Sequence, residues 1–210
     1  MGYIKRFDFK KLQEKGYNHF IETGTGMGWA CDHMIRQGFT RISSVEQTPI
    51  LYSRCVRKYQ LRHKIYKPKD TIFLYHGLST DFLTKMNDFD KSIVFLDAHF
   101  VDGADFELAD FIESAKDPNS FPLIEELKIL STKDMSSAVI VIDDARMFYK
   151  TLTNAGVCHL ATQQWDKKEL LEEQLVKFTD THNFQLIALD QGYITLSPKE
   201  IPCEVTYSFG

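Results

Sequence analysis

The sequence lacks the features that mark membrane, secreted and nucleic-acid-binding proteins. It contains no apolar run long enough to span a bilayer, and its N-terminus has no apolar stretch of the signal-peptide type. Acidic residues outnumber basic ones by 29 to 25, and the net charge of −4 gives no electrostatic reason to expect nucleic acid as a partner. These absences predict a cytoplasmic protein that binds neither membranes nor nucleic acid.

Cysteine is also scarce, and its spacing excludes two classes of site. The four cysteines are scattered and form no CxxC pair; they are Cys31, Cys55, Cys158 and Cys203. A disulfide scaffold or a zinc site is therefore not expected, and reduced thiols fit a cytoplasmic location. With no internal repeat or low-complexity tract, the 210 residues predict one domain, residues 1–210, with a substantial core.

Short apolar runs alternate with helical patterns along most of the chain. The predicted strands are His19–Glu22, Ile42–Glu46, Thr71–Tyr75, Ile93–Asp97 and Ala138–Ile142. The helices predicted between them are Trp29–Gln37, Pro49–His63, Asp81–Met86 and Pro122–Leu130. Such alternation predicts a parallel sheet with helices on both faces.

The C-terminal part of the chain departs from this alternation. Asp166–His182 reads as one long amphipathic helix, and "FQLIALDQGYITLSP" reads as two strands joined by a tight turn at Asp190-Gln191-Gly192. The predicted fold class is thus α/β, a Rossmann-like domain whose seven-stranded, mostly parallel sheet ends in an antiparallel hairpin.

A long insertion interrupts the pattern between the fourth strand and the next helix. It covers Phe100–Phe121, with a short helix predicted at Phe106–Ser114. Long connections at the carboxyl end of a parallel sheet are often substrate lids, so we expect a lid at 100–121; a surface elaboration is the alternative.

Three glycines at alternate positions follow the first predicted strand, in "HFIETGTGMGWACDHMI". Glycine clusters mark a backbone that turns tightly or closely approaches a ligand, and the helix that follows presents free N–H groups to a negative group. The dinucleotide fingerprint GxGxxG fits poorly, because the third glycine falls one residue early and Trp29 would lie beside the pyrophosphate. A dehydrogenase is therefore disfavoured.

The pattern E-x-G-x-G-x-G resembles the first motif of the Rossmann-like S-adenosylmethionine-dependent methyltransferases. "ISSVEQ" places an acid at the end of the second strand, where a carboxylate accepts ribose hydroxyls, and "HGLS" follows the third strand, where the family borders adenine. This sequence departs from the family at Leu78, where an Asp often stands. The cofactor-binding residues implied by the resemblance are Glu22, Thr23, Gly24, Gly26, Gly28, Glu46, Gly77, Ser79 and Asp97.

Three acids follow the fourth and fifth strands, Asp97 in "VFLDAHF" and the pair Asp143-Asp144 in "VIVIDDAR". Carboxylates that converge at adjacent strand ends would repel one another unless a cation lay between them, and hard oxygen ligands suit Mg²⁺ or another divalent cation. The structural alternative is that these acids cap helices, with Asp144 paired to Arg146.

The placement of the acids also resembles that of the metal-dependent O-methyltransferases of the catechol and macrolide-sugar types. The resemblance implies Asp97, Asp143 and Asp144 as metal ligands. His99 is the candidate catalytic base, with metal ligand and structural residue as alternatives, and Asp97 the second catalytic candidate. Arg146 and Tyr149 are expected to face the same crevice and bind substrate; an ion pair with Asp144 is the alternative for Arg146.

Together these features predict an S-adenosylmethionine-dependent O-methyltransferase. The expected acceptor is a hydroxyl of a small molecule or a glycan-related metabolite, with a divalent metal orienting and acidifying it; a homo-oligomer is left open. The alternatives are a metal-independent methyltransferase whose acids bind only substrate, and a non-catalytic nucleotide- or cofactor-binding module.

Overall fold

The computed structural model describes residues 4–66, 71–98, 121–155, 165–188, 192–201 and 206–207. The strands in this part of the chain are β1 (Phe7–Asp8), β2 (His19–Thr23), β3 (Arg41–Glu46), β4 (Thr71–His76), β5 (Ser92–Leu96), β6 (Val139–Ile142), β7 (His182–Ile187), β8 (Tyr193–Pro198) and β9 (Thr206–Tyr207). The α-helices are α1 (Lys10–Glu14), α2 (Trp29–Gln37), α3 (Pro49–Tyr66), α4 (Ser79–Lys85), α5 (Leu123–Leu130) and α6 (Lys168–Val176).

Seven of these strands form one mixed sheet in the order β4-β3-β2-β5-β6-β8-β7. The first five pair in parallel, and β8 runs antiparallel to both β6 and β7. This arrangement confirms the predicted fold class. It also brings the carboxyl ends of β2, β5 and β6 side by side, since Thr23 lies opposite Leu96, and Leu96 opposite Ile142.

Both faces of the central strands are buried because helices cover each side. Ile140 and Val141 are adjacent in β6 and point to opposite faces, yet each is fully buried. Ile140 packs in a cluster with Leu127 of α5, whereas Val141 belongs to a second cluster with Met34 of α2. Continuous apolar runs are typical of strands buried on both faces.

The C-terminal helix is shorter than predicted. We expected one helix over Asp166–His182, but α6 ends at Val176 and His182 already begins β7. Between them the chain makes successive tight turns, and the Thr179 hydroxyl donates to the Val176 carbonyl at 2.7 Å. Hydroxyl side chains that bond nearby carbonyls favour such turns over continued helix, and the helical pattern does not reveal this competition.

An N-terminal aromatic segment packs on the sheet, which the sequence did not predict. Phe7 of β1 is 1% exposed, and its ring lies edge-on to Tyr193 with centroids 5.1 Å apart. Phe9 contacts Phe39 in the same way at 6.2 Å. Because β1 pairs with β9, residues from both ends of the described chain meet on this face.

Two further sequence predictions concern the insertion at 100–121 and bilayer-spanning helices. The proposed lid at 100–121 and its helix at Phe106–Ser114 lie outside the described residues, except for Phe121. Within the described ranges, no helix combines the length and apolar character needed to cross a bilayer.

Candidate functional site

The glycine loop, residues 24–28, connects β2 to α2 and has two different sides. All three glycines have positive φ, +83°, +52° and +71° for Gly24, Gly26 and Gly28. A Cβ on Gly24 would lie 2.5 Å from the carbonyl oxygen of Asp97, and one on Gly28 would lie 2.6 Å from the Tyr59 hydroxyl. At Gly26 an added Cβ meets no atom within 4 Å. Gly24 and Gly28 are therefore required by the protein's own packing, whereas Gly26 borders open space.

The first half of the glycine loop is fastened to β3 through its N–H groups. The N–H groups of Gly24 and Thr25 donate to the Val45 carbonyl at 3.0 and 2.9 Å. The Gly26 N–H donates to Glu46 Oε2 at 2.8 Å, and the Thr48 N–H donates to Glu46 Oε1 at the same distance. In this structure Glu46 thus holds the loop, and a carboxylate oxygen with one bond can accept another from a ligand.

Glu22 is buried beneath the glycine loop, with 1% of its surface exposed. Its carboxyl accepts hydrogen bonds from the Ser44 hydroxyl at 2.7 Å and from the Cys31 thiol at 3.0 Å. Burial raises the pKa of Glu22 to about 8, and the negative charges of Asp97 and Glu46 add to the rise. This burial leaves Glu22 no surface for a ligand, so its immediate role is to support the loop.

The partners of Glu22 were not singled out in the sequence. Cys31 is fully buried in α2, nine residues further along, and Ser44 is fully buried in β3 and also bonds Thr25 at 2.6 Å. The available signal was the serine pair in "RISSVE", because polar residues inside a buried strand need hydrogen-bond partners.

The three predicted acids meet at the carboxyl ends of β5 and β6. Each of Asp97, Asp143 and Asp144 offers a carboxylate oxygen, and these oxygens lie within 4.8 Å of one another. The strands place them: the Asp97 N–H donates to the Thr23 carbonyl, and the Asp143 N–H donates to the Leu96 carbonyl. Asp144 has a φ of +53°, an uncommon conformation for a residue other than glycine. The expected convergence of the acids is confirmed.

A small pocket, partly open to solvent, lies beside this acid cluster. Its described lining includes all three acids, Met147, Phe148 and a fourth acid, Glu126 of α5. Glu126 is 1% exposed and was missed in the sequence. The sequence feature that could have predicted this burial is the position of Glu126 on the apolar face of α5, where Leu123, Leu127 and Leu130 are also buried.

The two predicted substrate-binding residues make contacts within the protein. Arg146 donates from Nε to Asp144 Oδ1 at 2.9 Å, with both side chains largely buried. The hydroxyl of Tyr149 donates to Glu172 of α6 at 3.3 Å, and Lys168 lies over the Tyr149 ring. The ion pair that was the alternative for Arg146 is thus formed. The Tyr149 hydroxyl bonds a residue of α6, and substrate binding by Tyr149 stays a prediction.

The end of β4 lies beside the end of β3, on the side away from β2. The Gly77 N–H donates to the Glu46 carbonyl at 3.1 Å, and an added Cβ on Gly77 meets no atom within 4 Å. Ser79 begins α4 and is 7% exposed, whereas Leu78 is 39% exposed. Gly77 therefore borders open space as Gly26 does.

The structure describes Trp29 but not the predicted base His99. Trp29, the first residue of α2, is 48% exposed beside the glycine loop. His99, the predicted base, lies outside the described residues, although Ala98 before it lines the acid pocket.

Solved structures with similar folds include methyltransferases. No protein-family model and no curated protein matches this sequence. The methyltransferase PaMTH1 of Podospora anserina, solved with S-adenosylhomocysteine, superposes with a TM-score of 0.60 at 12% identity, over 90% of this chain and 75% of that one. The O-methyltransferase TomG of Streptomyces achromogenes, involved in tomaymycin synthesis and solved with S-adenosylmethionine, gives 0.56 at 15% identity, over 90% and 78%.

A third similar structure is an O-methyltransferase from Bacillus cereus, solved with S-adenosylhomocysteine. It gives a TM-score of 0.54 at 15% identity, over 95% of this chain and 82% of that one. At these identities the likeness concerns the fold. This chain therefore has the Rossmann-like α/β fold of the S-adenosylmethionine-dependent O-methyltransferases.

Proposed function

We propose that this chain transfers a methyl group from S-adenosylmethionine to a hydroxyl of a small-molecule or glycan-related acceptor. One observation carries the proposal: the glycine loop and the acid cluster lie against each other. The Asp97 carbonyl closely approaches Gly24, and the Asp97 N–H bonds the Thr23 carbonyl at 3.2 Å. A cofactor on the loop and an acceptor at the acids would therefore be neighbours, as methyl transfer requires.

The two open glycines define where the cofactor would bind. Gly26 follows β2 and Gly77 follows β4, and both border open space. Glu46 ends β3, the strand between them; its carboxylate accepts from the Gly26 N–H and its carbonyl from the Gly77 N–H. We assign the methionine part of the cofactor to the glycine loop, the ribose to Glu46 and the adenine to the turn at Gly77 and Ser79. Thr23 and Gly28 are buried and Gly24 is half-buried, and all three contribute backbone groups and loop geometry.

The acid cluster has the chemistry of a divalent-cation site. Hard cations such as Mg²⁺ and Ca²⁺ take oxygen ligands at about 2.0 to 2.6 Å, so ligands on opposite sides of an ion lie about 4 to 5 Å apart. The carboxylate oxygens of Asp97, Asp143 and Asp144 lie within 4.8 Å of one another and fit this range. These three residues would hold the ion, and when bound it would lower the pKa of the acceptor hydroxyl and orient it.

Transfer itself requires an in-line displacement. The acceptor oxygen forms a bond to the methyl carbon while the bond from that carbon to sulfur breaks, and the electron pair remains on sulfur as S-adenosylhomocysteine forms. The hydroxyl proton must leave, and His99 remains our proposal for the base that takes it, with Asp97 as the second catalytic candidate. Arg146 would act on substrate through Asp144, whose orientation it sets.

The same structure also favours a second candidate, a metal-independent methyltransferase. The guanidinium of Arg146 already bonds Asp144 Oδ1 at 2.9 Å and supplies a positive charge in the cluster. In that case the acids would bind the acceptor hydroxyls directly. The segment at 100–121 is in either case our proposed lid over the acceptor.

Calorimetric titration with S-adenosylhomocysteine and NAD tests the proposed cofactor. We expect S-adenosylhomocysteine to bind and NAD to bind more weakly or not at all. The Gly26→Asn variant should bind S-adenosylhomocysteine about tenfold more weakly or worse, equivalent to ~1.4 kcal/mol, because the added side chain enters the open side of the loop. Asn is chosen because it tolerates positive φ. Tighter binding of NAD would overturn the proposal.

A further inference from the structure

Side chains on one face of α3 donate hydrogen bonds to the second half of the glycine loop. Three side chains at spacing i, i+3 and i+4 reach three successive carbonyls of the loop, a spacing that puts them on one side of a helix. Cys55 Sγ donates to the Gly26 carbonyl at 3.3 Å, Lys58 Nζ to Met27 at 2.8 Å, and the Tyr59 hydroxyl to Gly28 at 2.9 Å. We call Cys55, Lys58 and Tyr59 the carbonyl clamp.

The carbonyl clamp is tied to the start of α2 through one acid. Asp32, in the first turn of α2, pairs with Lys58 at 2.8 Å and lies 3.1 Å from the Tyr59 hydroxyl. Tyr59 is 4% exposed and Asp32 is 8% exposed. Burial raises the pKa of the Tyr59 hydroxyl and raises that of Cys55 to about 11, so both groups keep the protons they donate.

A glycine-rich loop needs hydrogen bonds that hold it in one conformation. Glycines at positive φ are conformationally free in the unfolded chain, and each peptide group can rotate unless a bond fixes it. β3 holds the N–H groups of the loop's first half, and the carbonyl clamp holds the carbonyls of its second half. With its carbonyls turned toward α3, the loop keeps Gly26 bordering the open crevice.

We propose that Lys58 and Tyr59 are positioning residues for S-adenosylmethionine, which hold the glycine loop in the conformation that receives the cofactor. This inference rests on the proposed function. Neither residue need touch the cofactor, since each acts through the backbone carbonyl that it holds. Removing a bond of the clamp leaves the loop to be ordered at the moment of binding, which weakens affinity.

Calorimetric titration with S-adenosylhomocysteine separates this role from a general structural one. We expect the dissociation constant to rise about three- to tenfold in Lys58→Met and in Tyr59→Phe, the range for one lost hydrogen bond, while the number of sites per chain stays unchanged. If a substitution instead left a fraction of the molecules irreversibly misfolded, the number of sites would fall and the dissociation constant of the remaining molecules would stay unaltered. Lys58→Arg should recover most of the affinity, because a guanidinium also pairs with Asp32 and donates to a carbonyl.

Matched controls come from the same chain. Arg57→Met removes one positive charge from an exposed position of α3, and Tyr17→Phe removes the hydroxyl of another buried tyrosine away from the loop. Both should bind like the wild-type protein. Wild-type affinity in both clamp variants would overturn this inference alone. Absence of binding by the wild-type protein would overturn the proposed function and the inference with it.

Discussion

The surroundings of Glu22 change the pH at which it binds a proton. Its carboxyl is fully enclosed, and the pKa rises from an ordinary 4.5 to about 8 mainly because burial disfavours the charged form. Between these two values the folded protein binds a proton that the unfolded chain releases. Glu22 therefore makes the free energy of unfolding fall as pH rises from about 4.5 to about 8.

We predict that Glu22→Gln removes this dependence. Burial lowers the pKa values of His19, His33 and His182, so these residues make stability rise with pH, an effect that fades above the ordinary imidazole pKa of about 6.5. Because Glu22→Gln leaves these histidines in place, the difference between the urea-unfolding profiles of the two proteins isolates Glu22. Between pH 6.5 and 8 the free energy of unfolding of the wild-type protein should fall relative to that of the variant by at most about 1.4 kcal/mol per pH unit, and parallel profiles would contradict the prediction.

Asp143 is the acid on which the metal proposal is most directly tested. It is 5% exposed, and the strands hold its backbone against Leu96. We predict that Asp143→Asn weakens Mn²⁺ binding, measured by calorimetry, by about tenfold or more, since an amide loses the charge that attracts the ion. Affinity for S-adenosylhomocysteine should remain, because the proposed cofactor contacts come from β2, β3 and β4.

The matched control for this experiment is Asp134→Asn, an exposed acid in the turn before β6. It should bind Mn²⁺ like the wild-type protein. If the wild-type protein binds no Mn²⁺ at millimolar concentration, the metal-independent candidate is preferred.

At the scale of elements, the N-terminal strand β1 stabilises the sheet through aromatic packing. Phe7 is 1% exposed, stacks with Phe9 at 5.9 Å and contacts Tyr193 of β8. We predict that Phe7→Ala lowers the free energy of unfolding by about 3 to 5 kcal/mol, the usual cost of removing a buried phenylalanine. Denaturant unfolding measures this loss.

Phe73 of β4 is the control for this prediction. It is 44% exposed, and Phe73→Ala should cost less than about 1 kcal/mol because little apolar surface is lost from the core. Equal losses in both variants would show that β1 does not pack as described.

For the whole molecule, the sheet order brings distant segments together at one edge. The glycine loop, the β4 turn and the acid cluster come from distant parts of the chain, between Gly24 and Asp144, yet all follow strands of the same sheet. Ligands of open α/β sheets bind at this carboxyl edge. A ligand that contacts several strand ends should therefore stabilise the folded state as a whole.

We predict a corresponding rise in the thermal midpoint with S-adenosylhomocysteine. At a concentration 100 times the dissociation constant, binding adds about 2.7 kcal/mol of stability. For a chain of 210 residues this corresponds to a rise of roughly 5 to 10 °C in a thermal denaturation scan. The same concentration of NAD should give no comparable rise, and equal shifts would contradict the proposed cofactor.

The sequence by itself determined the order of the strands along the chain and the residues that follow them. Apolar runs, glycine spacing and acids at strand ends are local signals, and the right-handed crossovers of parallel strands leave few ways to arrange them. The convergence of Asp97 with Asp143 and Asp144 could be predicted for this reason.

Only the tertiary structure decided which side chains support the site. The rotation of each helix against the sheet determines these contacts. They are the hydrogen bonds of Glu22, those of Lys58 and Tyr59 to the loop, the burial of Glu126 beside the acids and the bond from Tyr149 to α6. That rotation is set by side-chain packing over the whole core, and no local pattern records it.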